Sequence, residues 1–176
     1  MRCMQRIHNS DKPQSSNKRK IMIIKIPIKN LDIEGDGCHL LVKAAFNSKH
    51  KGFLIIDTGA SKSVFDMKQL ENIIEIIPHE PETIKSSGIS QGFLENKMGL
   101  LKKIKIGELT LTDYPVVLLD LSHINKLYED FFNKPIWGLL GGDFLKQYQA
   151  KINYKNNSLI LDIPKHPIKK NLRRKK

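Results

Sequence analysis

Cysteine is scarce in this 176-residue chain, with two residues, Cys3 and Cys38. That excludes a disulfide framework and favours a reducing compartment. Long apolar runs are lacking as well. Ile21-Met22-Ile23-Ile24 follows Lys18-Arg19-Lys20 as a signal peptide would. Yet Lys25 and Pro27 interrupt it, it lies late, and no small-residue cleavage site follows. Nothing approaches the ~18 apolar residues that a membrane span needs, so no membrane partner is expected and the chain is read as soluble and cytoplasmic. The six histidines show no metal-ligand spacing, and no phosphate-cradling loop of the Walker type is present, so neither a metal nor a cofactor is expected.

The length suits one domain, large enough to bury a core without covalent staples. The formal charge of +12 resembles a nucleic-acid signature until it is located along the chain. Residues 1–20 hold six Lys/Arg against Asp11, and residues 164–176 hold seven Lys/Arg and no acid. The stretch between, 21–163, balances 17 basic against 17 acidic residues. The chain thus divides into a basic tail over 1–20, a neutral domain over 21–163 and a second basic tail over 164–176. The tails read as solvated, disordered arms with a solubilising role, and nucleic acid is disfavoured as a partner.

From Ile21 onward, short β-type runs alternate with turn residues. Strands are expected at Ile21–Ile28, His39–Phe46, Phe53–Ile56, Ser63–Phe65, Ile73–Ile77, Thr83–Lys85, Leu100–Ile106, Leu109–Leu111 and Val116–Leu119. A hairpin is expected from Ala150–Tyr154 and Leu159–Ile163, and a brief helical turn at Met67–Leu70. Residues 122–135 are more polar and read as irregular or helical, which leaves one short helix at Asp143–Tyr148. The pattern predicts an all-β barrel or sandwich.

The informative segment is Phe53-Leu54-Ile55-Ile56-Asp57-Thr58-Gly59-Ala60-Ser61. A carboxylate directly after a fully apolar strand is expensive to bury, so it needs donors or a purpose. Gly59 allows a sharp turn, and the Thr58 hydroxyl can brace it. Eighty residues downstream, Ile136-Trp137-Gly138-Leu139-Leu140-Gly141-Gly142-Asp143 reads as an apolar strand running into a helix, with Asp143 a candidate N-cap. Trp137 reads as core packing.

These two segments resemble the pair that defines the retropepsin-like aspartic proteases. There, an Asp-Thr-Gly loop is threaded against a hydrophobic-hydrophobic-Gly element, here Leu139-Leu140-Gly141, with a glycine-rich flap between them. Ile84–Phe93 occupies the flap's place in the order. The resemblance spans Ile21 to Ile163 and implies an acid-protease-type closed β-barrel. It implies Asp57, Thr58 and Gly59 as catalytic-loop residues. Gly88, Ile89, Ser90, Gly92, Phe93 and Leu140 are the candidates for contacting a peptide or protein substrate.

Aspartic-protease chemistry needs two carboxylates facing one water. The chain carries one Asp-Thr-Gly and has no length for a second lobe, so the second Asp57 is expected from a homodimer. By the same resemblance, Thr58 would cross to the partner's loop. Ala60 lacks the hydroxyl that pepsin-like enzymes carry there, and a mildly acidic to near-neutral optimum is expected. The stretch after Ser61, residues 120–135 and the two tails depart from compact retroviral enzymes, so their intermolecular terminal sheet is not assumed.

Two rival readings stand beside this one. Gly88-Ile89-Ser90-Gln91-Gly92 matches the Gly-x-Ser-x-Gly elbow of serine hydrolases, but Lys85-Ser86-Ser87 before it is polar where that elbow needs a buried strand. The other is a catalytically inactive retropepsin-fold module for peptide binding or dimerisation.

Overall fold

Four consecutive apolar residues, Phe53 to Ile56, form a strand whose two faces are both buried. Leu54 and Ile56 point into the main core, while Phe53 and Ile55 join a second cluster on the opposite face. Such a strand belongs in the middle of a covered sheet, and the rest of the fold supplies both covers. The structure is a computed structural model. It describes residues 21–33, 35, 37–78 and 97–164. Both basic tails and the expected flap, including the strand at Thr83–Lys85, lie outside those residues.

The elements run in the order β1 (Ile21–Pro27), β2 (Lys29–Leu31), β3 (His39–Ala45), β4 (Lys51–Ile56), β5 (Val64–Asp66), α1 (Met67–Leu70), β6 (Glu75–Ile77) and β7 (Lys97–Ile106). There follow β8 (Leu109–Leu119), α2 (Ser122–Phe132), β9 (Ile136–Leu140), α3 (Gly142–Gln147), β10 (Lys151–Asn153) and β11 (Ser158–Pro164). The larger sheet has the order β2-β3-β4-β9-β5-β8-β7-β6. A further pairing of β3 with β7, at Ala44 with Ile106 and Ala45 with Lys105, closes β3-β4-β9-β5-β8-β7 into a barrel. Closure removes the sheet edges that these apolar strands would otherwise expose. The anticipated fold class, a closed β-barrel of the acid-protease type, is the one observed.

Val42, Leu54, Ile56, Phe65, Leu101, Ile104, Ile106 and Leu118 fill the interior. Each fully buried aliphatic or aromatic side chain of this kind contributes about 1.5–3 kcal/mol. At the tight turn between β7 and β8, Gly107 takes φ +58°, the left-handed region that glycine enters without strain.

Two expectations need correcting. The segments Leu109–Leu111 and Val116–Leu119 are one strand, β8, because pairing with β7 keeps one register on both sides of Asp113, which alone takes φ 47°. Among the described residues there are three helices where one short helix was expected, and 122–132 takes the helical of the two forms read for it. Ile124, Tyr128 and Phe132 recur every four residues and pack on the outer cluster with Leu41, Phe53, Ile55 and Ile136. Asn133, in the left-handed conformation with its N–H donating to the Glu129 carbonyl, ends the helix two residues before Pro135.

The terminal strands pair with each other inside one chain. β1 and β11 are antiparallel from Ile21 opposite Pro164 to Pro27 opposite Ser158, with β10 completing the three-stranded sheet.

Candidate active site

β9 lies between β4 and β5, parallel to the first and antiparallel to the second. The loop joining β4 to β5, residues 57–63, therefore has to cross the end of β9. Asp57 stands at the start of that crossing. Its N–H donates to the Leu140 carbonyl at 3.0 Å, extending the β4–β9 pairing by one bond. Its Oδ1 accepts from the Gly59 N–H at 2.9 Å and the Ala60 N–H at 3.1 Å. The carboxylate is thereby fixed by two backbone donors while the side chain stays only half-buried. Thr58 and Gly59 are exposed at the crest. The turn is braced by the Asp57 carboxylate, which stands directly after its strand and accepts two backbone N–H groups of its own loop.

The far half of the loop is tied to the segment leaving β9. Gly142 N–H donates to the Ala60 carbonyl at 2.7 Å and Asp143 N–H to the Ser61 carbonyl at 3.2 Å. Asp143 Oδ1 accepts from Ser63 N–H at 2.8 Å, from Ser63 Oγ at 2.7 Å and from Phe144 N–H at 2.8 Å. Ser63 Oγ in turn accepts from the buried Gly141 N–H at 2.9 Å. Asp143 is therefore no N-cap. Gly141 holds that position, and Asp143 in the first turn of α3 reaches across to clamp Ser63. The crossing demands glycine at 141, where a Cβ would lie 2.5 Å from the Lys62 backbone carbon and oxygen.

A second polar pin fixes α2 against the barrel. Asp66 is 1% exposed at the end of β5. It accepts from Leu121 N–H at 3.3 Å, from Lys68 N–H at 3.3 Å and from Asn125 Nδ2 at 2.8 Å. Asn125 Oδ1 accepts from Ile136 N–H at 2.6 Å, so one network joins β5, α2 and β9. Burial is the main force raising the Asp66 carboxyl above its ordinary value, against the lowering effect of its backbone donors. Nearby, the Tyr128 hydroxyl and His39 Nδ1 share a hydrogen bond of 2.6 Å. Burial, with the negative charge of Asp57 second, pushes the Tyr128 phenol up to about 12.

Of the other candidate residues, Leu140 is 1% exposed within the main core, beneath the Asp57 loop. Gly88, Ile89, Ser90, Gly92 and Phe93 lie outside the described residues, as does the Gly-x-Ser-x-Gly match. What is described of that region is its stem, the antiparallel β6–β7 pair from Glu75 opposite Leu100 to Ile77 opposite Met98. Trp137 is core, stacked on Phe46 with ring centroids 5.0 Å apart. A cavity of about 400 Å³ opens beside α1, lined by residues including Met67, Glu71, Ile74, Ile76 and Lys97. Asp57 does not line it, and the loop stands at the open rim of the barrel. Sequence reasoning missed Ser63, Asp66 and Asn125.

A single closed barrel, with an Asp-Thr-Gly loop crossing a strand that leads through Leu139-Leu140 into Gly141, is the architecture of a retropepsin-like aspartic protease. The chain belongs to the aspartyl protease family, whose model matches residues 42–144, from within β3 through the Asp57 loop to the start of α3. Among solved structures it is similar to a retropepsin-like aspartic protease from Rickettsia conorii. That match has 17% identity and a TM-score of 0.43, and covers 82% of this chain and 94% of the other. It is also similar to the retroviral protease-like domain of Ddi1 from Leishmania major, at 15% identity and a TM-score of 0.44, over 75% of this chain and 97% of that one. No curated protein matches the chain.

Proposed function

We propose that the protein is an aspartic endopeptidase whose active site forms when two copies of the chain bring their Asp57 side chains together. The observation that carries this reading is the setting of Asp57. One carboxylate oxygen is held by the Gly59 and Ala60 N–H groups, on a half-buried side chain at the rim of a single barrel. One such loop supplies half of the pair that the chemistry needs. A two-fold axis beside the exposed Thr58 and Gly59 supplies the other half.

In the assembled site two facing carboxylates share one proton, because adjacent like charges resist ionising together. The ionised Asp57 takes a proton from the water lying between them as that water adds to the peptide carbonyl carbon. The protonated Asp57 donates to the carbonyl oxygen. When the C–N bond breaks, the leaving nitrogen receives a proton and the carbonyl re-forms as a carboxyl group. Thr58 would hold the two loops together across the axis. Residues Gly88, Ile89, Ser90, Gly92 and Phe93, carried on the β6–β7 stem, would close over an extended peptide and pair with its backbone as an added strand.

The test is digestion of a peptide library by the wild-type chain and by Asp57→Asn, across pH, with products read by mass spectrometry. Cleavage by the wild type alone, strongest in mildly acidic to near-neutral conditions, is expected. Cleavage that persists in Asp57→Asn refutes the assignment of the carboxylate. Absence of cleavage from both leaves a peptide-binding or dimerisation module on this fold.

A further inference from the structure

β3 and β4 pair with Leu41 opposite Ile55, and both side chains belong to the outer cluster with Tyr128. Two residues further along, the same register sets His39 across from Asp57, and strand alternation returns both side chains to that face. Asp57 still has strand pairing at this point, through its N–H to the Leu140 carbonyl. Tyr128 is 2% exposed, and its hydroxyl meets His39 Nδ1 at 2.6 Å with the two rings edge to face. Burial, and after it the charge of Asp57, raise the Tyr128 phenol, so the carboxylate lies within electrostatic reach of the pair.

The phenol keeps its proton, and among the described residues that buried hydrogen has no acceptor besides His39 Nδ1. It therefore donates to Nδ1, which leaves the hydrogen of the neutral ring on Nε2. A structural role accounts for Nδ1 alone. The ring is half-buried, and among the described residues Nε2 has no partner. The same face carries Lys29 and Lys134, each with Nζ 6.0 Å from the Phe53 ring centroid. Their two positive charges outweigh the single negative charge of two carboxylates sharing one proton, which favours an acceptor that is itself anionic. We propose that His39 is a specificity-determining residue of this site, its Nε2–H aimed by Tyr128 at an Asp or Glu side chain of the substrate close to the scissile bond. The two-fold axis repeats the pair, so an acidic residue on either side of that bond would meet one. This assignment rests on the endopeptidase reading of Asp57 and adds the substrate class to it.

The test uses the full chain carrying Asp57→Asn, which keeps the shape of the site but not its chemistry. A random peptide library is passed over it and the retained sequences are read by mass spectrometry, beside the cleavage sites made by the wild type. Asp or Glu should be enriched at a fixed position ahead of Gln and Leu, and at the same place relative to the wild type's scissile bonds. Adding His39→Leu should lower the preference for Glu over Leu by about tenfold or more, because a hydrogen bond to a charged group is lost. His39→Gln, which still offers an N–H, should restore part of it. Tyr128→Phe, which frees the ring, should lower it by a smaller factor. A merely structural role for the pair would weaken all peptides alike and leave that ratio unmoved. Absence of an acidic preference in the Asp57→Asn chain, or a preference that survives His39→Leu intact, overturns the proposal. If acidic peptides are retained through His39 while the wild type cleaves nothing, the endopeptidase reading falls and the role of His39 in binding stands.

Discussion

The Ser63–Asp143 clamp is the joint on which the Asp57 loop depends, and Ser63→Ala tests it. The change deletes the Oγ–H donated to Asp143 and the acceptor of the buried Gly141 N–H. A hydrogen bond to a carboxylate is worth about 1.5–3 kcal/mol, and a buried donor left unpaired costs about 1–3 kcal/mol. Asp143 keeps the Ser63 and Phe144 N–H groups, so the two losses overlap and about 2–4 kcal/mol is expected. For a chain of this size, each kcal/mol lowers the melting temperature by about 2–4 °C, giving a drop of roughly 5–15 °C. Thermal and urea unfolding followed by circular dichroism would measure it. Asp143→Asn is the control, because an amide oxygen can still accept the same three donors, and it should cost less than half as much. A Ser63→Ala melting temperature within about 1 °C of wild type would refute the reasoning. So would an Asp143→Asn variant as unstable as Asp143→Leu.

Three further outcomes follow from the same contacts. Gly141→Ala would put a Cβ 2.5 Å from the Lys62 backbone, so a loss of about 3 kcal/mol or more in urea unfolding is expected, and near-wild-type stability would contradict the close crossing. Asp66 has its folded value raised above 3.8 by burial, so it favours the folded state most fully below that pH, and the contribution is lost as pH rises through the folded value. The stability gap between wild type and Asp66→Ala should therefore widen on acidification from neutral pH toward pH 4, and a gap that narrows would show that charge pairing dominates instead. Tyr128, pushed to about 12, should form no phenolate at pH 10 in ultraviolet titration, and Tyr128→Phe should cost about 1 kcal/mol through the lost bond to His39.

The barrel was legible because its signal is local. Phe53 to Ile56 had to be buried on both faces, and most strands followed from runs of apolar residues between turns. Helix α2 was harder to read, since its apolar inner face is Ile124, Tyr128 and Phe132, set among polar and charged residues that include the buried Asn125. The fourfold spacing, with Asn133 and Pro135 as stop signals, was the available clue. The strand break expected near Asp113 and Pro115 did not occur, because pairing with β7 outweighs two unfavourable residues. Asp57 and the Leu139-Leu140-Gly141 element stood out as a pair because their meeting was expected from a known arrangement. What sequence could not give was the joinery between them. Ser63 and Asp143 lie 80 residues apart and Asp66 and Asn125 lie 59 apart, and no local pattern announces such a bond. For the same reason the bracing that the Asp57 carboxylate gives its own loop was not foreseen.

The central claim is that one Asp57 is half of a site. Mixing wild-type chains with rising amounts of Asp57→Asn, after dissociation and reassociation, tests it directly through peptide cleavage per wild-type chain. If two chains share one active site, inactive mixed dimers form and cleavage per wild-type chain falls in proportion to the wild-type fraction. Cleavage that stays constant however much Asp57→Asn is added would mean that each chain works alone, and would contradict the account.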